Sequence, residues 1–144
     1  MLSFPNKNKG FSIIEGTLAI AVLIIGLMAI MQVFPFGLKV IGDSQNTTIA
    51  SSVALEKIEE LRSVQYDSLA TGTIEAKHHL SADAGNYLYS YQRQTIVELV
   101  DANFNQSGTD IGLKKITVTV FWVSPVGFAE KSIQLNSIVA KTAD

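Results

Sequence analysis

The sequence predicts an α+β fold: a long N-terminal α-helix, membrane-spanning in its first half, packed on a small antiparallel β-sheet of about three strands. Three observations predict it. Gly16 to Leu38 is a run of 23 residues without a charged side chain. From about Thr48 to Leu69 apolar residues recur at helical spacing. Beyond Gly72 the period shortens to two, the mark of strands with one buried face.

The chain opens on a polar segment, residues 1–10, whose charges are Lys7 and Lys9. The uncharged run that follows is long enough to cross a bilayer core as a helix, which takes about 20 residues. Lys7, Lys9 and the free amino terminus precede it, and Lys39 and Asp43 cancel behind it. The positive-inside bias then leaves the N-terminus in the cytoplasm and residues 40–144 outside. A cleaved secretory signal is the rival reading, but its apolar core would be about 7–15 residues with small residues at the cut. Here the run is longer and ends on Pro35-Phe36-Gly37. Pro35 with Gly37, and then Gly42-Asp43-Ser44, are expected to interrupt the helix.

The amphipathic helix expected next places Ala54, Leu55, Ile58, Leu61 and Leu69 on one broad face. Glu56, Lys57, Glu59, Glu60 and Arg62 lie mostly on the others, as a solvated surface, with Glu59 and Arg62 at supporting i,i+3 spacing. In the sheet region, Tyr87, Tyr89 and Tyr91 alternate with Leu88, Ser90 and Gln92 in a strand that can continue to Val100. From Leu113 to Val123, Ile116, Val118, Val120 and Trp122 face one way, and Lys115, Thr117, Thr119 and Phe121 the other. Ser124-Pro125-Val126-Gly127 is a turn, and a third strand runs from about Lys131 to Val139. Adjacent strands joined by turns make an antiparallel meander, whose apolar face needs the helix as cover.

Composition excludes several function classes. Eleven basic against 13 acidic side chains, a net charge of -2, argue against a nucleic-acid partner. Cysteine is absent, so there is no thiol nucleophile, thiolate metal site or disulfide. No phosphate-binding glycine loop or nucleophile elbow occurs. The reading is of a non-enzyme without cofactor. His78 and His79 are adjacent, so on a strand they point to opposite faces and make a poor metal pair. Asp101 to Ser107 places oxygen side chains at alternate positions as calcium loops do, but Gln106 and Gly112 stand where such a loop has Gly and an acid. The three tyrosines are read as packing between the sheet and the helix or a neighbouring subunit.

Glu15 is the unusual residue, a carboxylate at the start of an apolar helix, where charge is expensive and tends to be functional. A helix N-terminus at headgroup level would also suit an anion. The order Lys9-Gly10-Phe11-Ser12-Ile13-Ile14-Glu15 ahead of an apolar helix resembles the processing signal of type IV prepilins and pseudopilins. That resemblance implies a prepilin peptidase that cuts between Gly10 and Phe11 and methylates the new Phe11 amine. It also implies that Glu15 pairs with a neighbouring subunit's N-terminal amine during assembly. Loss of Lys7 and Lys9 would take the charge to 9 basic minus 13 acidic, or -4. The stretches Leu55 to Arg62, Tyr66 to Leu69 and Leu113 to Trp122 are similar to V-type minor pilins and I-type minor pseudopilins. The fold implied is pilin-like. Its organisation would be a leader over 1–10, an apolar assembly helix over 11–41, an amphipathic helix over 42–70 and an exported sheet domain over 71–144. The implied partners are other pilin or pseudopilin subunits, the peptidase, an inner-membrane assembly platform and membrane lipid. The implied location is the inner membrane as a single-pass protein, then a cell-surface or periplasmic filament. A single-span anchor for an extracytoplasmic binding module is the alternative, as is a pseudopilin of a secretion or DNA-uptake system.

Overall fold

A computed structural model describes residues 10–142. Lys7, Lys9 and the leader up to residue 9 lie outside the described residues. The first element, α1, is a 50-residue helix, Ile13–Arg62. The chain divides into two units, one ending at Leu38 and one beginning at Lys39.

In the first unit α1 carries the uncharged run, and the side chains of its most apolar 18-residue window are unburied. This is one helix long and apolar enough to cross a membrane. The expected interruption at Pro35 and Gly37 does not occur, and Pro35 sits inside the helix. Its ring nitrogen has no hydrogen to give the carbonyl four residues back, that of Met31, so the helix is continuous with one rung missing.

In the second unit α1 continues through Gly42-Asp43-Ser44, also without the expected break. The hydroxyls of Thr47 and Thr48 turn back onto the carbonyls of Asp43 and Ser44 at 3.0 and 3.1 Å. Asp43 itself is tied to Lys131. This half of the helix packs on one antiparallel sheet in which β1 (Gly72–His79), β2 (Tyr91–Leu99), β3 (Leu113–Val123) and β4 (Glu130–Ala140) follow in sequence order. β3 pairs with β4 without a register shift, whereas β1 meets β2 with two irregularities, at Thr73/Glu75 and Glu75/His78. Ala50, Ala54, Ile58 and Leu61 face Val97, Ile116, Val118, Val120 and Trp122 in the core. The two alanines are fully buried on that helix face. Each buried valine or isoleucine contributes roughly 1.5–3 kcal/mol through removal of apolar surface from water.

The α+β class, the β3 alternation and the last strand agree with the sequence reading, with four strands in place of about three. Four details differ. The helix stops at Arg62, and Tyr66–Ser68 forms a separate 3₁₀ turn. Leu55 is half exposed, while Lys57 occupies the buried face; Ala50, Ala54, Lys57, Ile58 and Leu61 are the set at true i, i+3, i+4, i+7 spacing. Gly72–His79 is a strand. Tyr87–Ser90 is a 3₁₀ turn in which the Asn86 side-chain oxygen accepts the Leu88 amide at 2.9 Å, so the strand begins only at Tyr91.

Candidate processing and assembly site

Gly10, Phe11 and Glu15 lie at one end of α1. Residues 10–12 precede the helix, whose first carbonyl bond runs from the Gly16 amide to Ser12 at 3.1 Å. The Gly10–Phe11 peptide bond is thus outside regular structure. Gly10 is exposed, with nothing within 4 Å of where a Cβ would stand, and the Phe11 side chain is largely exposed. A peptidase that needs an extended, unpaired backbone meets no obstacle from the described residues. Glu15 stands in the first turn, where the unpaired amides of a helix start favour an anion. Its side chain is exposed, and among the described residues it forms no ion pair. Behind it the exposed surface is apolar: Ile14, Leu18, Val22, Ile25 and onward to Leu38.

The other candidates resolve into local contacts. His79 donates from Nδ1 to the Tyr89 carbonyl at 2.6 Å and stacks on the Tyr89 ring, with centroids 4.3 Å apart. Its other ring nitrogen faces the Gln92 amide at 3.1 Å, and His78 turns to the Ala76 carbonyl. The tyrosines do not form one stripe: Tyr91 is buried and donates to Asn46 of α1 at 2.8 Å, whereas Tyr87 is exposed. In the loop after β2, Asp101 Oδ1 accepts the Asn103 and Asn105 amides at 2.8 and 2.9 Å, so this carboxylate caps its own turn. Among the described residues no three His, Asp or Glu side chains converge.

Two polar clusters escape sequence reasoning. In the first, Glu75 of β1 takes a two-pronged contact from Arg93 Nε and Nη2, both at 2.9 Å, and a Thr95 hydroxyl at 2.7 Å. Lys57 of α1 reaches the same carboxylate at 3.3 Å. Burial alone would push the Glu75 carboxyl up; the hydrogen bonds from Arg93 and Thr95 and the charges of Arg93 and Lys57 outweigh it and hold the group down at about 2. In the second, the buried Lys114 donates to the carbonyls of Tyr66 and Leu69 at 2.8 and 2.7 Å, with its ammonium 4.2 Å from the Tyr66 ring centre. The Tyr66 hydroxyl donates to Asp110, and burial together with that carboxylate pushes the phenol up to about 12. A lysine on an otherwise apolar helix face was the available signal for the first cluster. The second had none, because Lys114 bonds to backbone carbonyls and Asp110 lies 44 positions from the Tyr66 it accepts from.

Comparison with protein-family models, with curated proteins and with solved structures finds no match to this chain. What the geometry defines is a class: one long apolar N-terminal helix whose second half packs on an antiparallel sheet, a pilin-like architecture compatible with a membrane-anchored protein.

Proposed function

We propose that the chain is a structural subunit, of the minor kind, of a type IV pilus or a related type IV filament. A prepilin peptidase cuts it between Gly10 and Phe11, and Phe11 becomes the methylated N-terminus. The apolar half of α1 holds the subunit in the inner membrane and then packs against other pilin or pseudopilin subunits. Glu15 sets the axial register by pairing with a neighbour's N-terminal amine. It has no catalytic role. One observation carries the reading: an exposed, non-helical Gly10–Phe11 bond, with Glu15 in the first turn, heads an unburied apolar helix in a pilin-like fold.

Intact-mass analysis of the membrane-extracted protein tests it, in cells with an active prepilin peptidase. The expected mass lacks residues 1–10 and carries one added methyl at Phe11, and a bulky replacement of Gly10 abolishes the cut. A chain that retains Met1 sinks the filament reading and favours a permanently anchored binding module.

A further inference from the structure

We propose that Gln32 and the Met31 carbonyl form a polar lock between two copies of this chain in the membrane: the Gln32 amide of each copy donates to the Met31 carbonyl and the Gln32 oxygen of the other. The proposal rests on reading Gly16 to Leu38 as a membrane span.

That run is uncharged, and Thr17 and Gln32 are its polar side chains. Thr17 needs no partner, since its hydroxyl turns back onto the Ile14 carbonyl at 2.9 Å. Gln32 has no such outlet. Its side chain is exposed, and among the described residues its amide forms no hydrogen bond. A second unpaired group lies beside it. Pro35 sits inside the helix and has no N–H, so the carbonyl four residues back, that of Met31, loses its donor. Residues three apart share one side of a helix, so this carbonyl, beneath Pro35, and the Gln32 amide open on the same side. An amide thus stands next to an orphaned acceptor in the least polar part of the chain.

Depth makes these groups costly to leave unpaired. Gln32 is six residues short of Leu38, the end of the run, which is about 9 Å along the helix. Side chains lean toward the N-terminus of their helix, and this carries the amide away from the nearer headgroup layer. Hydrocarbon offers no water, so polar groups within it are paired inside protein.

A second copy is the partner that the chemistry selects. A single-span chain enters the bilayer in one orientation, so two copies stand parallel, with Gln32 and Met31 at equal depth. A primary amide carries two N–H donors. They match the acceptors that the facing copy presents, its Met31 carbonyl and its Gln32 oxygen. Each copy supplies what the other lacks, as a two-fold contact requires. The neighbours on that side at helical spacing, Ile25, Met28 and Phe36, are apolar, so the amides fix the register of an otherwise uniform face.

The chain lacks cysteine, so one introduced cysteine reports on one helix face. Phe36→Cys stands on the Gln32 side and Phe34→Cys on the opposite one. The full chain carrying either would be reconstituted in phosphatidylcholine–phosphatidylglycerol vesicles, checked for co-flotation with lipid, and oxidised over a series of lipid dilutions. The expected result is disulfide-linked dimer from Phe36→Cys and little from Phe34→Cys. Adding Gln32→Leu to Phe36→Cys should move the half-cross-linked point roughly tenfold toward higher protein content, the scale of interhelical amide bonds in apolar surroundings. Adding Pro35→Ala, which returns an N–H to the Met31 carbonyl, should move it the same way by a smaller factor. An unmoved half-point in either double variant overturns the lock and leaves the span standing. Equal dimer from Phe34→Cys and Phe36→Cys shows helices that meet on no fixed face, which also overturns it. A chain that does not float with the vesicles removes the membrane span, and the proposal with it.

Discussion

Glu75 binds three side chains at once, and its charge state decides whether they are satisfied. Its carboxyl is held at about 2, below the ordinary 4.5. A folded-state value below the unfolded one contributes stability that is complete above about pH 4.5 and drains as pH falls towards 2. Thermal melts of the wild type should therefore fall across that window. Glu75→Gln should be destabilised at neutral pH and flatter over the same range, because it has no carboxylate to protonate. Arg93→Ala leaves a half-buried carboxylate with less support and should cost about 1.5–3 kcal/mol, the range for hydrogen bonding to a charged group. Equal acid limbs for wild type and Glu75→Gln would show that other carboxylates govern acid unfolding.

At the level of elements, the end of α1 is decided from the sheet. Lys114 takes the carbonyls of Tyr66 and Leu69, so the segment after Arg62 is fixed as a 3₁₀ turn against β3 instead of extending the helix. The Tyr66 phenol, at about 12, lies above its ordinary 10. Its contribution is complete below pH 10 and is lost as pH rises through 12. Tyr66→Phe should cost about 1 kcal/mol at neutral pH, the net worth of one hydrogen bond, and should lose the steep alkaline limb seen in wild-type melts. A limb that persists in Tyr66→Phe would place the alkaline transition elsewhere. The same element shows where sequence patterns stop being informative. Alternation in Ile116, Val118, Val120 and Trp122 was legible because each buried side chain is apolar and the strand is regular. β1 was not, since its Glu75, Lys77, His78 and His79 carry no apolar period and two irregularities break the pleat. Tyr87 and Tyr89 imitate a strand period, yet Asn86 bends that segment with a single side-chain acceptor. Of the candidate site, Gly10, Phe11 and Glu15 could be picked out from order alone, whereas the Glu75 and Tyr66 clusters depend on contacts between residues 18 to 48 positions apart.

As a whole molecule, the chain separates its tasks. Residues 13–38 expose apolar surface and have almost no polar chemistry apart from Glu15, whereas residues 39–142 hold the described ion pairs and the core. Under the filament reading, Glu15→Val should leave membrane insertion and the melting of the sheet domain unchanged. An unpaired charge in an apolar helix bundle is costly, so loss of the pairing group should act on assembly, and the subunit's share in sheared filaments should drop sharply against its share in membranes. Equal shares for wild type and Glu15→Val would leave the carboxylate with no part in assembly. The second half of α1 is also fastened to three different strands: Asp43 to Lys131 of β4, Asn46 to Tyr91 of β2, and Lys57 to Glu75 of β1. Traction along the helix axis loads these fastenings side by side, in shear, rather than one after another from a free end. The joint yields only when two ion pairs, one neutral hydrogen bond and the apolar interlock fail together. A chain pulled by its helix would therefore transmit tension into the sheet before it came apart.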